Sequence, residues 1–170
     1  MSPAERISPV SVPILASRRV LLAATAFAAV GSAQGQPSGD PTQLLTLMER
    51  YAVALHWNNV DALVALYTAD GVFMRENLPA AVGPEALRAA YRQVFATLKL
   101  DMRFDIQQTE VSNDVAWLRA TSKGRIRTLA TGADTEESFN SLVVFGREGG
   151  TWKIRCYLYA SNRPGTGIPQ

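Results

Sequence analysis

Reactive side chains are scarce in this sequence of 170 residues, which holds one cysteine and one histidine. Cys156 can close no internal disulfide. One Cys and one His cannot make a zinc site without several carboxylates, and no carboxylates cluster at ligand spacing. There is no dinucleotide-binding glycine motif to support redox chemistry. The expectation is therefore a domain that uses neither metal nor cofactor. Cys156 sits in an apolar strand pattern and reads as a buried core thiol, since a nucleophilic thiol wants an exposed, electropositive site with a histidine nearby. His56 lies on a distant helix, where a helix-end histidine is more often a cap or surface group.

Long apolar runs are also few. Val20 to Val30 is about eleven residues, within the ~7 to 15 of a signal h-region and too short to span a bilayer. Arg18-Arg19 precede it, and Gly31-Ser32-Ala33 supplies small residues for a peptidase, so residues 1–33 read as an export leader cleaved before Gln34. The run Ser17-Arg18-Arg19-Val20-Leu21-Leu22 is similar to a twin-arginine signal, with an ordinary secretory leader as the alternative. Either implies a periplasmic or secreted domain with no membrane contact after cleavage; an uncleaved N-terminal anchor is the remaining alternative, disfavoured by the short run. The chain carries seventeen basic and fifteen acidic side chains. The leader takes away Arg6, Arg18, Arg19 and Glu5, leaving fourteen of each sign, so no nucleic-acid surface is expected.

Residues 34–41 form a polar Gly/Pro/Ser linker, residues 42–163 one domain, and residues 164–170 a tail. Leu44, Leu47, Met48, Tyr51, Ala52 and Leu55 recur at helical spacing and predict a helix over Thr42–Trp57. Asn58-Asn59 can cap it, and Asp61 can start a second helix reaching Tyr67. A strand from Gly71 to Met74 follows. Pro84 stands in the first turn of a third helix with Leu87, Tyr91, Val94, Phe95 and Leu98 as its stripe. From Asp101 the period becomes two, giving strands over 101–111, 115–127, 136–147 and 152–159. The order is α-α-β-α-β-β-β-β.

Leu142-Val143-Val144-Phe145 and Cys156-Tyr157-Leu158-Tyr159 are apolar on both faces. Three helices cover only one face of such a sheet, so a homodimer through the outer face is expected. In the last strand Trp152, Ile154, Cys156 and Leu158 share one face, and Lys153, Arg155, Tyr157 and Tyr159 the other. Either set can face the helices.

Three segments, Leu66-Tyr67-Thr68-Ala69-Asp70-Gly71-Val72-Phe73, Val82-Gly83-Pro84-Glu85-Ala86-Leu87 and Gly150-Thr151-Trp152-Lys153-Ile154, carry a resemblance to the nuclear transport factor 2-like superfamily. SnoaL-like proteins and ketosteroid isomerase belong to it. More narrowly, Phe73-Met74, Glu76-Asn77 and Tyr157 to Asn162 look like the SgcJ/EcaC group. The resemblance implies an α+β roll of cystatin-like type, a cone-shaped curved antiparallel sheet wrapped around three helices with an apolar pocket at its open end. Ketosteroid isomerase, a worked example of such chemistry, uses an aspartate base with an oxyanion hole of a tyrosine and a protonated aspartate. Carried over by position, the oxyanion tyrosine falls on Tyr51, the base on Arg75, and the protonated aspartate near Asn140.

Glu76, beside the lost base, can stand in for it. An adjacent Arg75 lowers a carboxylate pKa, away from a useful base, unless the two side chains diverge. Tyr51, Glu76 and Asn140 are the candidate catalytic groups, each with a simpler reading as a packing or solvated residue. Trp57, Tyr67, Arg75, Tyr91, Arg119, Tyr157 and Tyr159 are candidate ligand-binding residues. Arg119, Lys123, Arg125 and Arg127 share one strand face and read most simply as a solvated stripe. The expected partner is a small, mostly apolar organic molecule, held for proton-transfer chemistry or by a non-catalytic binding or oligomerisation module.

Overall fold

The computed structural model describes residues 40–162. The expected leader (1–33), the linker up to residue 39 and the tail (164–170) lie outside the described residues. Helix α1 (Asp40–His56) buries Leu44, Leu47, Met48, Tyr51, Ala54 and Leu55 on one stripe. Its first turn carries Asp40, favourably placed at the positive end of the helix dipole, in an ion pair with Arg147. Asn58 ends it in the left-handed conformation, φ 53°.

Helix α2 (Val60–Ala65) starts differently from expectation: Asn59, not Asp61, is its N-cap, accepting from the Ala62 N–H at 3.0 Å. Asp61 instead meets Arg88 at 3.2 Å. Strand β1 (Tyr67–Met74) begins where the helix was expected to continue. The Leu66 carbonyl accepts from the Ile154 N–H at 2.8 Å, so tertiary pairing captures the backbone before a further turn forms. Between Tyr67 and Val72 the register against the last strand shifts, and Gly71 makes that irregularity possible. A Cβ there would stand 2.8 Å from the Tyr67 Cβ and 2.9 Å from the Thr68 carbonyl.

A two-residue strand not foreseen in the sequence, β2 (Ala81–Val82), pairs back on Val72 and Phe73. Helix α3 (Gly83–Thr97) has Pro84 in its first turn and buries Leu87, Ala90 and Tyr91. Leu98, expected on its stripe, is extended and opens β3 (Leu98–Ser112). Then come β4 (Val115–Thr128), β5 (Asp134–Glu148) and β6 (Thr151–Ser161). The Gly149-Gly150 connection, with φ 58° and 78°, suits a two-residue hairpin whose twist matches its strands. The six strands run β2-β1-β6-β5-β4-β3, antiparallel except for β1 against β6. The inner face wraps over α1 and α3, giving the expected curved α+β architecture.

The facing of β6 has a structural answer. Phe145 pairs with Ile154 and Val144 with Cys156, so Arg155 is an extra residue bulged out of the ladder. A bulge reverses which residues point inward. Trp152 and Ile154 are buried before it, and Tyr157 after it, while Leu158 turns outward. Both sets seen in the sequence therefore face the core, one on each side of Arg155. Cys156 is not in the core: it is half-buried on the outward face, its Sγ 3.7 Å from Met74 Sδ. Met74, Leu142 and Leu158 are exposed on that outer face. Arg125 and Arg127 pair with Glu136 and Asp134 across the β4–β5 ladder.

Gly124 lies at a close approach of β4 to β3. A Cβ at this position would sit 1.9 Å from the Asp101 carbonyl oxygen, a backbone atom that cannot turn aside. Gly124→Ala is expected to cost about 1–3 kcal/mol, read as a lower urea midpoint. An unchanged midpoint would show that β3 and β4 are less tightly joined.

Candidate functional site

Between α1, α3 and the inner sheet face lies a cavity of about 450 Å³. Its wall is aromatic: Tyr51, Phe73, Tyr91, Phe104, Phe139, Tyr157 and Tyr159 all line it. Phe73 is stacked between Tyr91 (centroids 4.7 Å, planes 9° apart) and Tyr157 (5.8 Å, 8°). Tyr51 presents its edge to Tyr157 at 5.1 Å. Offset and edge-on contacts of this kind lock ring orientation, so the cavity is held open by packing.

Two strings of hydroxyls run behind the wall. In the first, the Tyr91 hydroxyl lies 2.8 Å from that of Tyr51 and 2.7 Å from that of Tyr67. Three hydrogens serve two bonds, so one is left over. Tyr67 does not line the cavity and meets Tyr91 at 2.7 Å, with Tyr51 as a second, weaker hydrogen-bonding neighbour. A hydrogen that Tyr67 did not give to Tyr91 would have only that weaker acceptor. The string is therefore best satisfied with Tyr67 donating to Tyr91, and the spare donor on Tyr51 or Tyr91, both cavity residues. The second string runs from Ser122 Oγ to Ser141 Oγ to the Tyr157 hydroxyl, each step 3.3 Å. When each hydroxyl hands its hydrogen to the next, the spare one emerges at Ser122 or Tyr157, and both line the cavity.

The family model of the SnoaL-like domain matches residues 48–155. The chain belongs to the SnoaL-like family. Among solved structures it is similar to a ketosteroid isomerase-like protein from Erwinia carotovora atroseptica, with 30% identity over 72% of this chain and 96% of that one, at a TM-score of 0.68. A conserved protein from Planctomyces limnophilus is 20% identical over 73% and 98%, TM-score 0.65. An NTF2-like protein with a cystatin-like fold from Novosphingobium aromaticivorans is 18% identical over 76% and 86%, TM-score 0.60. The last two speak for the fold alone. No curated protein matches the chain.

Of the residues singled out in the sequence, Tyr51, Glu76, Tyr91, Tyr157 and Tyr159 line this SnoaL-like cavity. Tyr67 stands one hydroxyl behind it. Arg75 follows inward-facing Phe73 by two positions, with Cζ 5.8 Å from the Phe73 centroid and Nη1 donating to Gln93 Oε1 at 3.1 Å. Glu76 turns the other way, accepting from the Ser161 N–H at 2.8 Å. The two side chains diverge and make no ion pair.

Three candidates lie elsewhere. Asn140 is exposed and pairs with Ala160 on the outer face, one position out of phase with cavity-lining Phe139; the inward residue at this level is Ser141, 2% exposed. Arg119 is exposed among the outward-facing residues of β4, bonded to Gln107 at 2.7 Å. Trp57 is 74% exposed just beyond α1, beside a separate shallow groove between α1 and α2. Ser122 and Ser141 were missed because serines in a strand give no pattern of their own. Continuing the period-two count inward from Phe145 and Val143 would have found Ser141.

Burial pushes the phenols of Tyr51, Tyr67 and Tyr91 well above the usual tyrosine range, and that of Tyr157 up to about 12. Burial also raises Tyr159, with the Arg75 charge opposing and the Glu76 charge reinforcing the shift. The inner wall thus offers neutral donors over the whole physiological range. Glu76 and Glu137 are the carboxylates among the lining residues. Among the described residues no three His, Cys, Asp or Glu side chains are arranged to hold a metal. Burial likewise raises the Cys156 thiol, away from nucleophilic use.

Folding therefore raises the pKa of four interior phenols above the unfolded value near 10. Their stabilising contribution is fully present below about pH 10 and is lost as pH climbs towards and past 12. Absorbance at 295 nm is expected to show these tyrosines ionising together with unfolding; ionisation near pH 10 with the fold intact would contradict it. Tyr91→Phe, which strips both neighbours of their partner, should cost about 1–3 kcal/mol in urea. Tyr67→Phe should cost less.

Proposed function

We propose that this chain is an exported SnoaL-like pocket protein that binds a small, mostly apolar organic molecule bearing an oxygen acceptor. The observation that carries the reading is the open aromatic cavity lined by Tyr51, Tyr91, Ser122 and Tyr157, members of two hydroxyl strings that each hold one hydrogen more than the two bonds along the string use. A ligand carbonyl beside Tyr51 would meet a donor already oriented and shielded from water, the arrangement that stabilises a developing oxyanion. In the catalytic form of the reading Tyr51 holds that oxygen, and Glu76 at the mouth moves the proton, giving isomerase- or cyclase-like chemistry without a cofactor. Ser141, rather than Asn140, backs the second donor.

A non-catalytic binding module is the second reading. It is favoured by the carboxylate of Glu76, which is already engaged by the Ser161 N–H, and by a cation at Arg75 where the resemblance implies a base. A pocket filled by its own side chains would have favoured an oligomerisation module; the cavity supports ligand binding instead. The narrower likeness to the SgcJ/EcaC group, export through the leader, independence from membrane and nucleic acid thereafter, and a homodimer through the outer sheet face complete the proposal. The dimer is supported by Met74, Leu142 and Leu158, which expose apolar surface there.

Calorimetric titration with 2-acetylnaphthalene, an apolar aryl ketone, tests the pocket. The wild-type protein is expected to bind it, and Tyr51→Phe to bind about tenfold more weakly, equivalent to ~1.4 kcal/mol. Equal affinity in the variant would remove the donor role of Tyr51. If a substrate is found, Glu76→Gln with undiminished turnover would remove the base. Light scattering at micromolar concentration should give a dimer, and Leu142→Glu a monomer; a wild-type monomer would end that part of the proposal.

A further inference from the structure

Arg75 is a half-buried cation without a counter-ion. No carboxylate lies within 4.0 Å of its guanidinium among the described residues. Its contacts are the neutral amide of Gln93 at 3.1 Å and the Phe73 ring at 5.8 Å. Its Nε–H is enclosed with no acceptor among the described residues. Among the described arginines, Arg88, Arg125, Arg127, Arg147 and Arg155 have a carboxylate partner, and Arg50, Arg92, Arg103 and Arg119, which have none, are exposed to water; Arg75 is half-buried without one. The nearest acidic neighbour in sequence, Glu76, is turned to the Ser161 N–H, and Glu137 at the cavity wall has contacts of its own.

The position of this unmatched charge matters. Phe73 and Tyr159 line the cavity, and Arg75 lies two residues beyond Phe73, close enough to Tyr159 for its charge to act on that phenol. Arg75 is not itself a lining residue: its guanidinium lies beside the Phe73 ring and next to lining Glu76, while Tyr51 lines the cavity. With Nη1 on Gln93, the Nε–Nη2 edge remains, which is the fork that takes a carboxylate side-on through two parallel hydrogen bonds. A small swing of the guanidinium towards the mouth gives the enclosed Nε–H its missing acceptor once a carboxylate is there.

We infer that Arg75 is a specificity-determining residue, and that the ligand is an amphipathic organic acid: an apolar ring body with an oxygen acceptor at the inner end and a carboxylate at the rim. The inference rests on the pocket reading above and adds the acidic end. Arg75 then does not fail to be a base; it selects which molecule enters and which end goes in first. Glu76 and Glu137, the carboxylates among the lining residues, disfavour an anion elsewhere along the wall, so the acid end is confined to the place Arg75 serves.

Two probes of one ring system separate the claims: 2-acetylnaphthalene, which has the ketone alone, and 6-acetyl-2-naphthoate, which adds a carboxylate at the far end. Titration calorimetry at neutral pH is expected to give at least tenfold tighter binding of the acid by the wild-type protein. Arg75→Gln should abolish that preference, the acid losing at least tenfold more affinity than the ketone, with an unchanged far-UV circular dichroism spectrum certifying that the variant is folded. Arg75→Lys, with the charge but not the fork, should retain part of the preference. Binding of the ketone with no advantage for the acid, or a preference that survives in Arg75→Gln, would overturn the inference and leave the pocket reading standing. Failure of both probes to bind the wild-type protein would overturn both.

Discussion

A phenol hydroxyl sealed away from water must find a partner, and the interior of this domain is arranged around three that do. Tyr51 comes from α1, Tyr67 from the start of β1 and Tyr91 from α3; their hydroxyls meet at 2.8 and 2.7 Å. That junction ties the two helices to the sheet at one point, and the Tyr51 and Tyr91 rings also pack in the aromatic wall. Because burial strongly favours the neutral phenol, the cluster is a source of donated hydrogen bonds and not of bases. The chemistry open to the cavity follows from this: it can hold and stabilise an oxygen on its inner wall, while any base must stand at the mouth.

The sheet supplies the rest of the site through an irregularity. If β6 kept strict alternation, burying Trp152 and Ile154 would drive Tyr157 and Tyr159 to the outer face. The bulge at Arg155 lets one strand seal the core at one end and line the cavity at the other. Ser141 and Ser122 sit where this second half of β6 meets β5 and β4, which is how a tyrosine and two serines on three strands come to form one string. The same parity leaves Leu158 on the outer face, paired with Leu142 and Met74 of the neighbouring strands.

Helices α1 and α3 and the succession of the four long strands were legible in the sequence because each has its own local signal, period 3.6 or period 2. The start of β1 was not, since Tyr67 enters the sheet only because the Ile154 backbone claims the Leu66 carbonyl, a contact across much of the chain. The site was legible by residue type more than by direction. Tyr51, Tyr91, Tyr157 and Tyr159 are aromatic residues that only an interior could use. Asn140 was misread for a physical reason: Leu142 and Val144 on the outer face are as apolar as Val143 and Phe145 on the inner, so hydrophobicity could not reveal the phase. That the three phenols share hydrogen bonds is a fact of three dimensions, with no trace in their spacing.

The central claim is that the hydroxyl string ends in a donor available to a ligand inside the cavity. A crystal structure of the protein soaked with 2-acetylnaphthalene tests it most directly. The account predicts the ring system within the aromatic wall and the ketone oxygen at about 2.5–3.0 Å from the Tyr51 hydroxyl. A ketone oxygen directed to solvent with the Tyr51 hydroxyl unengaged, or a cavity closed by its own side chains with the ketone bound elsewhere, would contradict it.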